Sequence, residues 1–592
     1  MQDLATEWAH ISVDPADRSI EGARRVLERS TDLASLLTKC PAPDRELGID
    51  VYFPADDAGF GALLVRAVMG HLAANGGDGG SAGSAASVRC HATRMDAAVH
   101  VCARALRPNT SPTIIRDAVH GDIVFNRREY AIIRTRSMQH LHYVRQLGTA
   151  YHVYPGAMHT RFEHSLGTFH MAKRFIAELE ATGHVLPMRI KEAIRAASLL
   201  HDVAHRPFGH TLEDEGRVVL ASHDDRALDV IDSDQDLLRA LGDLAGPVKA
   251  ILLAKEIHFP RFHAVDKDNG PTANDRELWK RATDLWPDVE PFMGQIVGDT
   301  ICADLCDYLR RDALYTGLQR NYDDRILKYV TLREQDLMGS EVRFLAFRIA
   351  DKGVLSPDAV SEIVHLLNTR HAIGARVYFH HHKMALGGMV CKAVRMLRAN
   401  GEFQEAVLDE VGDEGFLLYL TGQLVGHEHS SDGPAALARA VIDRNHYRRA
   451  YVLSLEVLKT HAEKHRRVEL IAKYRDSEDA ERNLLEIEHK IASKLGLEDH
   501  EVVVSCTDPK MQLKEAEVYV VDRDDEVLVL ANAGDELAPG LGSIIENHRR
   551  LWRLYVFVHA PDDQSSILKK AADYCKTPEV FGINRNALDI EG

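Results

Sequence analysis

Ten consecutive residues, His201-Asp-Val-Ala-His-Arg-Pro-Phe-Gly-His210, hold three histidines and an aspartate. Imidazole nitrogen and carboxylate oxygen together suit one divalent ion: Mg, Mn, Fe or Zn. An adjacent His201–Asp202 pair can serve a single ion if the helix carrying it ends there. His205 is expected one turn further on the same face, and His210 just past the Pro207/Gly209 break.

Three other groups carry chemistry at helical spacing. In His159-Thr-Arg-Phe-Glu-His164, Arg161 and His164 are three apart and share a face. One supplies a metal ligand and the other a fixed cation for phosphate oxygens. Asp304, Tyr308 and Asp312 line one face at i, i+4, i+8, which in a buried helix implies a polar cavity. Arg370, Gly374 and Tyr378 share another face. Glycine in mid-helix costs about 1 kcal/mol relative to alanine, so Gly374 marks either a close backbone approach or plain helix packing. The run His380-His-His is not read as one site, because consecutive side chains diverge around a helix. Cys302 and Cys306 fit packing better than half a metal site.

These side chains need helices to position them. Residues 111–430 are largely helical in pattern. Over Arg189–His201, the stripe Ile190, Ile194, Ala197, His201 delivers the histidine to the core side at the helix end. Residues 1–110 read as a mixed, mostly helical region with a short strand at Asp50–Pro54. A Gly/Ser-rich linker covers Asn75–Ser84. Residues 431–592 form a helical and α+β lobe, with strands at Glu501–Ser505, Glu517–Val521, Glu526–Leu530 and Leu554–His559. The fold class is mainly α with a smaller C-terminal α+β region.

Bulk properties narrow the function. A chain of 592 residues implies two to four domains, and 45% apolar with 27% charged residues is globular. A formal charge of −17 repels nucleic-acid backbones, so nucleic acid is not the expected partner. Eight cysteines without a C-x-x-C pair fit a reducing cytoplasm. Met1–Asp14 lacks signal-peptide character, and no apolar run is long enough for a membrane span.

The motifs stand in a familiar order: Gln146-Leu-Gly, then Phe162-Glu-His-Ser-Leu-Gly167, then Leu199-Leu-His-Asp-Val-Ala-His205, then Pro207-Phe-Gly-His210. As a set they resemble HD-domain deoxynucleoside triphosphate triphosphohydrolases. Asp117-Ala-Val-His-Gly121 resembles the opening of that catalytic domain, and Thr507–Glu517 part of its C-terminal lobe. The likeness covers roughly 113–400 and patches of 480–560; the first 110 residues do not match a sterile alpha motif.

The resemblance implies an HD helical core and roles by position. His164, His201, Asp202 and Asp304 match four ligands of one divalent metal ion. His205, His210 and His223 match active-site histidines, with Glu213 a supporting acid. Arg161 and Arg370 match phosphate-binding arginines, and Tyr308 and Asp312 hold sugar and phosphates. Gln146 and Leu147 match the reader of the 3′-hydroxyl side, and Tyr378 the aromatic packed where a 2′-hydroxyl would sit. Leu305 replaces a phosphate-binding lysine, and Gly374 a histidine near the sugar. At the regulatory guanine-nucleotide site an acidic residue and an arginine fall on Arg134 and His142, while Gln139 is kept. The family also implies a homo-oligomer, dimer or tetramer.

The implied reaction turns dNTP and water into deoxynucleoside and inorganic triphosphate, with His210 giving a proton to the departing 5′-oxygen. One alternative is an HD phosphohydrolase or nuclease for another nucleotide or single-stranded nucleic acid. A second is a catalytically weak nucleotide-sensing scaffold.

Overall fold

The computed structural model describes residues 7–11, 47–54, 87–93, 99–105, 112–215, 218, 222–260, 271–351, 353–507, 517–532, 537–560 and 565–591. They fall into two compact units, Met1–Thr113 with two short segments, and the remainder. The Gly/Ser linker and most of Thr507–Glu517 lie outside the described residues.

In the first unit the described residues form a four-stranded sheet, β1 (Glu7–Ile11), β2 (Leu47–Pro54), β3 (Ser87–Thr93) and β4 (Val99–Ala105), in the order β1-β4-β2-β3. The pairings β1/β4 and β4/β2 are antiparallel and β2/β3 is parallel. The expected strand at Asp50–Pro54 is the end of β2. The other three strands do not follow from the mostly helical pattern.

The second unit is mainly α, with its small sheets towards the C-terminal half. Helix α1 (Arg161–Ala181) starts at Arg161 because Thr160-Arg-Phe-Glu163 is a capping box. The Glu163 carboxylate accepts from the Thr160 N–H at 2.7 Å. Helix α2 (Met188–Leu200) buries Ile194 and Ala197 fully and hands His201 to the interior, as the stripe requires. It stops one residue before His201. Residues 201–204 are a turn, so His205 is not on a continuing helical face. Helix α3 (His223–Ser233) is capped by Ser222. Helix α4 (Ala303–Thr316) packs along α1 and ends at left-handed Gly317 (φ 71°). Cys302 and Cys306 are buried, and the Cys302 sulfur accepts from the Leu305 N–H, so this pair packs and caps.

Helix α5 (Pro357–Ile373) passes into a π-helical turn, Gly374–Tyr378, before helix α6 (His381–Ala399). The extra residue per turn breaks the simple i, i+4 face expected for Arg370, Gly374 and Tyr378. A Cβ on Gly374 would meet only ordinary contacts, His548 Cε1 at 3.8 Å and Leu551 Cδ1 at 3.9 Å. Neither a close backbone approach nor tight packing therefore explains this glycine.

A hairpin, β5 (Val330–Leu337) and β6 (Ser340–Arg348), interrupts the expected helical run. Four strands match the pattern near the C-terminus: β8 (Val502–Cys506), β9 (Tyr519–Val521), β10 (Val527–Val529) and β11 (Arg553–Val558). An unanticipated β7 (Arg448–Ser454) pairs with β11, giving the order β7-β11-β8. The core of this half joins Met389 and Val394 of α6 to Tyr451, Val504 and Val556, and it reaches Phe208 beside the histidine motif. Among the described residues no helix is long and apolar enough to cross a membrane.

Candidate metal centre

Helix α1 carries His164, the turn just after α2 carries His201 and Asp202, and the first turn of α4 carries Asp304. His164 is completely buried, His201 and Asp202 are buried, and the Asp304 side chain is 31% exposed. His164 Nδ1 donates to Asp307 Oδ2 at 2.7 Å. His201 Nδ1 donates to the Ser198 carbonyl at 3.0 Å. Each ring thus spends its proton on Nδ1 and presents the Nε2 lone pair inward.

The two Nε2 atoms lie 3.2 Å apart. Asp304 Oδ1 is 2.9 Å from His164 Nε2 and 3.7 Å from His201 Nε2. Asp202 Oδ1 is 3.4 Å from His201 Nε2. Adjacent ligands held about 2.0–2.2 Å from one ion stand roughly 3–3.5 Å from each other. The donor set and its spacing fit a divalent cation, and facing lone pairs in a buried site need a cation between them. A proton is the competing cation: burial disfavours it, but Asp304 and Asp307 outweigh burial and raise the His164 pKa to about 10.

A second group of histidines adjoins the first. His205 Nε2 is 3.4 Å from Asp202 Oδ1, and its ring stacks on His223 with centroids 3.6 Å apart. His223 Nδ1 donates to Glu213 Oε2 at 2.8 Å. Burial lowers the His223 pKa, but Asp224 and Glu213 overcome it and raise the value to about 9. Burial, with Arg161 and His223 as positive neighbours, pushes His205 the other way and keeps it neutral. His210 is exposed, with its ring edge-on to both His205 and His223. Asp224 is in turn bound to half-buried Lys255.

The turn that presents His210 is conformationally unusual. Phe208 (φ 61°) and Gly209 (φ 45°) are both left-handed, which is rare for a bulky residue and concentrates at functional sites. Buried Asp413 holds this turn through the Phe208 N–H at 2.8 Å and holds the 145–147 segment through the Arg145 N–H at 3.0 Å. Gly148 (φ 51°) lets the same segment approach Thr211, whose Oγ1 would lie 2.8 Å from an added Cβ. Gln146 and Leu147 are positioned this way. Leu147 is buried, and Gln146 Oε1 is buried without a hydrogen-bond partner among the described residues.

The remaining expected residues line α4 and α5. Asp312 accepts from His159 Nε2 at 2.9 Å and from the Tyr378 hydroxyl. Burial and the Asp312 charge hold the Tyr378 hydroxyl protonated, well above its usual pKa. The Tyr308 ring stands edge-on to His164 and to Tyr378, with centroids 6.4 Å away in each case. Arg370 has a buried Nη1 without a partner among the described residues. Leu305, at the position of the family's lysine, is 1% exposed and belongs to the core. His142 stacks on Phe162, next to Arg161, at 3.7 Å between centroids.

Several residues in this network carry no role in the sequence reading: Asp307, Arg311, His120, Asp117, His159 and Asp413. Asp307 and Arg311 are also four apart, on a stripe of α4 rotated from the one read as functional. Asp117 and His120 lie in the motif that opens the domain.

Residues 161–283 match the HD domain model, and 343–580 match the HD associated region model. The chain is 29% identical over 290 residues to deoxynucleoside triphosphate triphosphohydrolase SAMHD1 of Bos taurus, 45% of this chain and 44% of that protein. It is 29% identical over 299 residues to an uncharacterized protein of Methanocaldococcus jannaschii, 50% of this chain and 51% of that one. It thus spans about half the length of these curated relatives. In fold it is similar to a phosphohydrolase from Bacteroides thetaiotaomicron, with TM-score 0.52 and 21% identity, over 76% of this chain and all of that one. The chain therefore carries an HD domain at residues 161–283 followed by an HD associated region, and it resembles the HD-domain deoxynucleoside triphosphate triphosphohydrolases.

Proposed function

We propose that this protein hydrolyses deoxynucleoside triphosphates to deoxynucleoside and inorganic triphosphate. The observation that carries the reading is the convergence of His164 and His201 Nε2 with Asp304 beside buried Arg161. His164, His201, Asp202 and Asp304 would hold the divalent ion, which when bound supplies Lewis acidity at a phosphoryl oxygen. Arg161 and Arg370 bring fixed positive charge for triphosphate oxygens. His210, exposed beside the charged His223, is placed to give a proton to the departing 5′-oxygen. Glu213 holds His223, and neutral His205 separates that imidazolium from Asp202. The Tyr378 hydroxyl bound to Asp312 supports a closed sugar end that favours deoxyribose. Gln146 and Leu147 would read the 3′-hydroxyl side.

Leu305 favours a second reading. Without a lysine there, the triphosphate grip rests on fewer cations, which favours an HD phosphohydrolase or nuclease acting on another nucleotide or on single-stranded nucleic acid. A panel of dNTPs, NTPs, dinucleotides and oligonucleotides with Mn or Mg separates the two. The first reading expects turnover of dNTPs above all others, and preferred turnover of a dinucleotide or oligonucleotide contradicts it. We further propose a homo-oligomer, checked by light scattering with and without added nucleotide.

A further inference from the structure

We propose that Asp307 is the positioning residue of the metal centre: it locks His164 into the tautomer that presents Nε2, and Gly167 makes the space in which it sits. The inference rests on the reading of His164 as a metal ligand.

Asp307 is completely buried on α4 and receives four hydrogen bonds. Its Oδ1 accepts from His120 Nε2 at 2.7 Å and Arg311 Nη2 at 2.8 Å. Its Oδ2 accepts from His164 Nδ1 at 2.7 Å and Arg311 Nε at 2.8 Å. An ionised carboxylate offers about four lone-pair sites, so its capacity is filled and its orientation fixed. Arg311 cannot drift either, because its Nη1 donates to Asp117 Oδ2 at 2.8 Å. The other oxygen of Asp117 accepts from the backbone of Val119 and His120. The turn at 118–120, α1 and α4 are thereby tied to one carboxylate behind the ligand ring.

Gly167 is one helical turn after His164 on α1, on the same face. A Cβ there would lie 1.8 Å from Asp307 Oδ1 and 2.4 Å from its Cγ. A carboxylate held by four donors has nowhere to yield, so any side chain at 167 must displace it. A purely structural ion pair between Arg311 and its two aspartates would not require the His164 contact at all. Partners of this kind set ring orientation and ligand basicity, and losing one typically costs about 10–100-fold in metal affinity.

The test uses the full chain as wild type, Asp307→Asn, Gly167→Ala and the double variant, with Asp304→Asn as a direct-ligand control. Mn2+ affinity is read by competition with a chromophoric chelator. The expected result is binding about 10–100-fold weaker in each single variant, with the double variant no weaker than the worse single one, because both act through one contact. Affinities within twofold of wild type in both singles, with Asp304→Asn strongly impaired, overturn the positioning role and leave the metal reading standing. A wild type that binds no ion overturns the metal reading and this inference with it. If the variants do not fold, Co2+-loaded wild type is measured by paramagnetic proton NMR. A shifted, slowly exchanging His164 N–H that cross-relaxes with its own Cβ protons, as an Nδ1–H must, supports the tautomer, whereas an N–H that cross-relaxes only with ring protons contradicts it.

Discussion

Arg161 Nη1 lies 2.5 Å from Asp202 Oδ2, so the arginine expected to meet phosphate is bonded to a carboxylate expected to meet metal. Arg161 is 1% exposed, and its Nε has no hydrogen-bond partner among the described residues. The side chain therefore links the two halves of the site. Arg161→Lys keeps a charge but loses the planar fork. Its kcat/KM should fall by roughly 100-fold or more, while metal affinity falls less. Steady-state kinetics and metal titration on the same preparation check this.

Gly209 leaves the room in which that guanidinium packs. A Cβ there would come within 2.7 Å of Arg161 Nη2 and 3.2 Å of its Nε, at a φ of +45°. Gly209→Ala should move Arg161 and strain the turn, costing about 1–2 kcal/mol of stability and raising KM for the nucleotide. Thermal unfolding and KM, measured together, read both effects.

His210→Ala removes the exposed imidazole without touching the ligand ring. Turnover should fall about 10²–10⁴-fold, with metal content equal to wild type. Full turnover in this variant would remove His210 from its assigned role.

The convergence of the proposed ligands was legible from sequence because they stand in short motifs at helix ends. His201 follows the apolar stripe of α2, and His164 follows a capping box. What surrounds the ring was not, because it depends on contacts between distant segments. Asp307 meets His120 across 187 positions, and Asp413 meets Phe208 across 205. No local pattern encodes these pairings. The hairpin β5/β6 was hidden for another reason: its strands lie inside a run that reads as helical, and register is set by tertiary packing. The π-helical turn at Gly374–Tyr378 also escapes a strict 3.6-residue reading.

The His223 pKa of about 9 gives stability a pH dependence. A value above the ordinary 6.5 means the folded chain holds this proton more tightly than the unfolded chain. The contribution is complete below about pH 6.5 and is lost as the pH rises through about 9. Wild type should therefore lose melting temperature across that window, and His223→Gln should lose less. Glu213→Gln should narrow the window, since it removes one of the two carboxylates that hold the proton. Unfolding scans in a pH series measure this.

Leu305→Lys puts back the cation that the resembling family carries. Because Leu305 is 1% exposed within the core, the charge would be buried, and stability should drop by several kcal/mol. KM for a dNTP should not improve. An intact melting temperature with a lower KM would show that this side chain reaches the nucleotide.

The proposed reaction cleaves a dNTP between the α-phosphorus and the 5′-oxygen. Phosphorus NMR of the products, run in 18O-labelled water with Mn or Mg, tests it directly. Attack of labelled water at the α-phosphorus gives inorganic triphosphate carrying the label, and unlabelled deoxynucleoside. Release of pyrophosphate and a deoxynucleoside monophosphate, or no turnover of any dNTP by the metal-loaded protein, would contradict it.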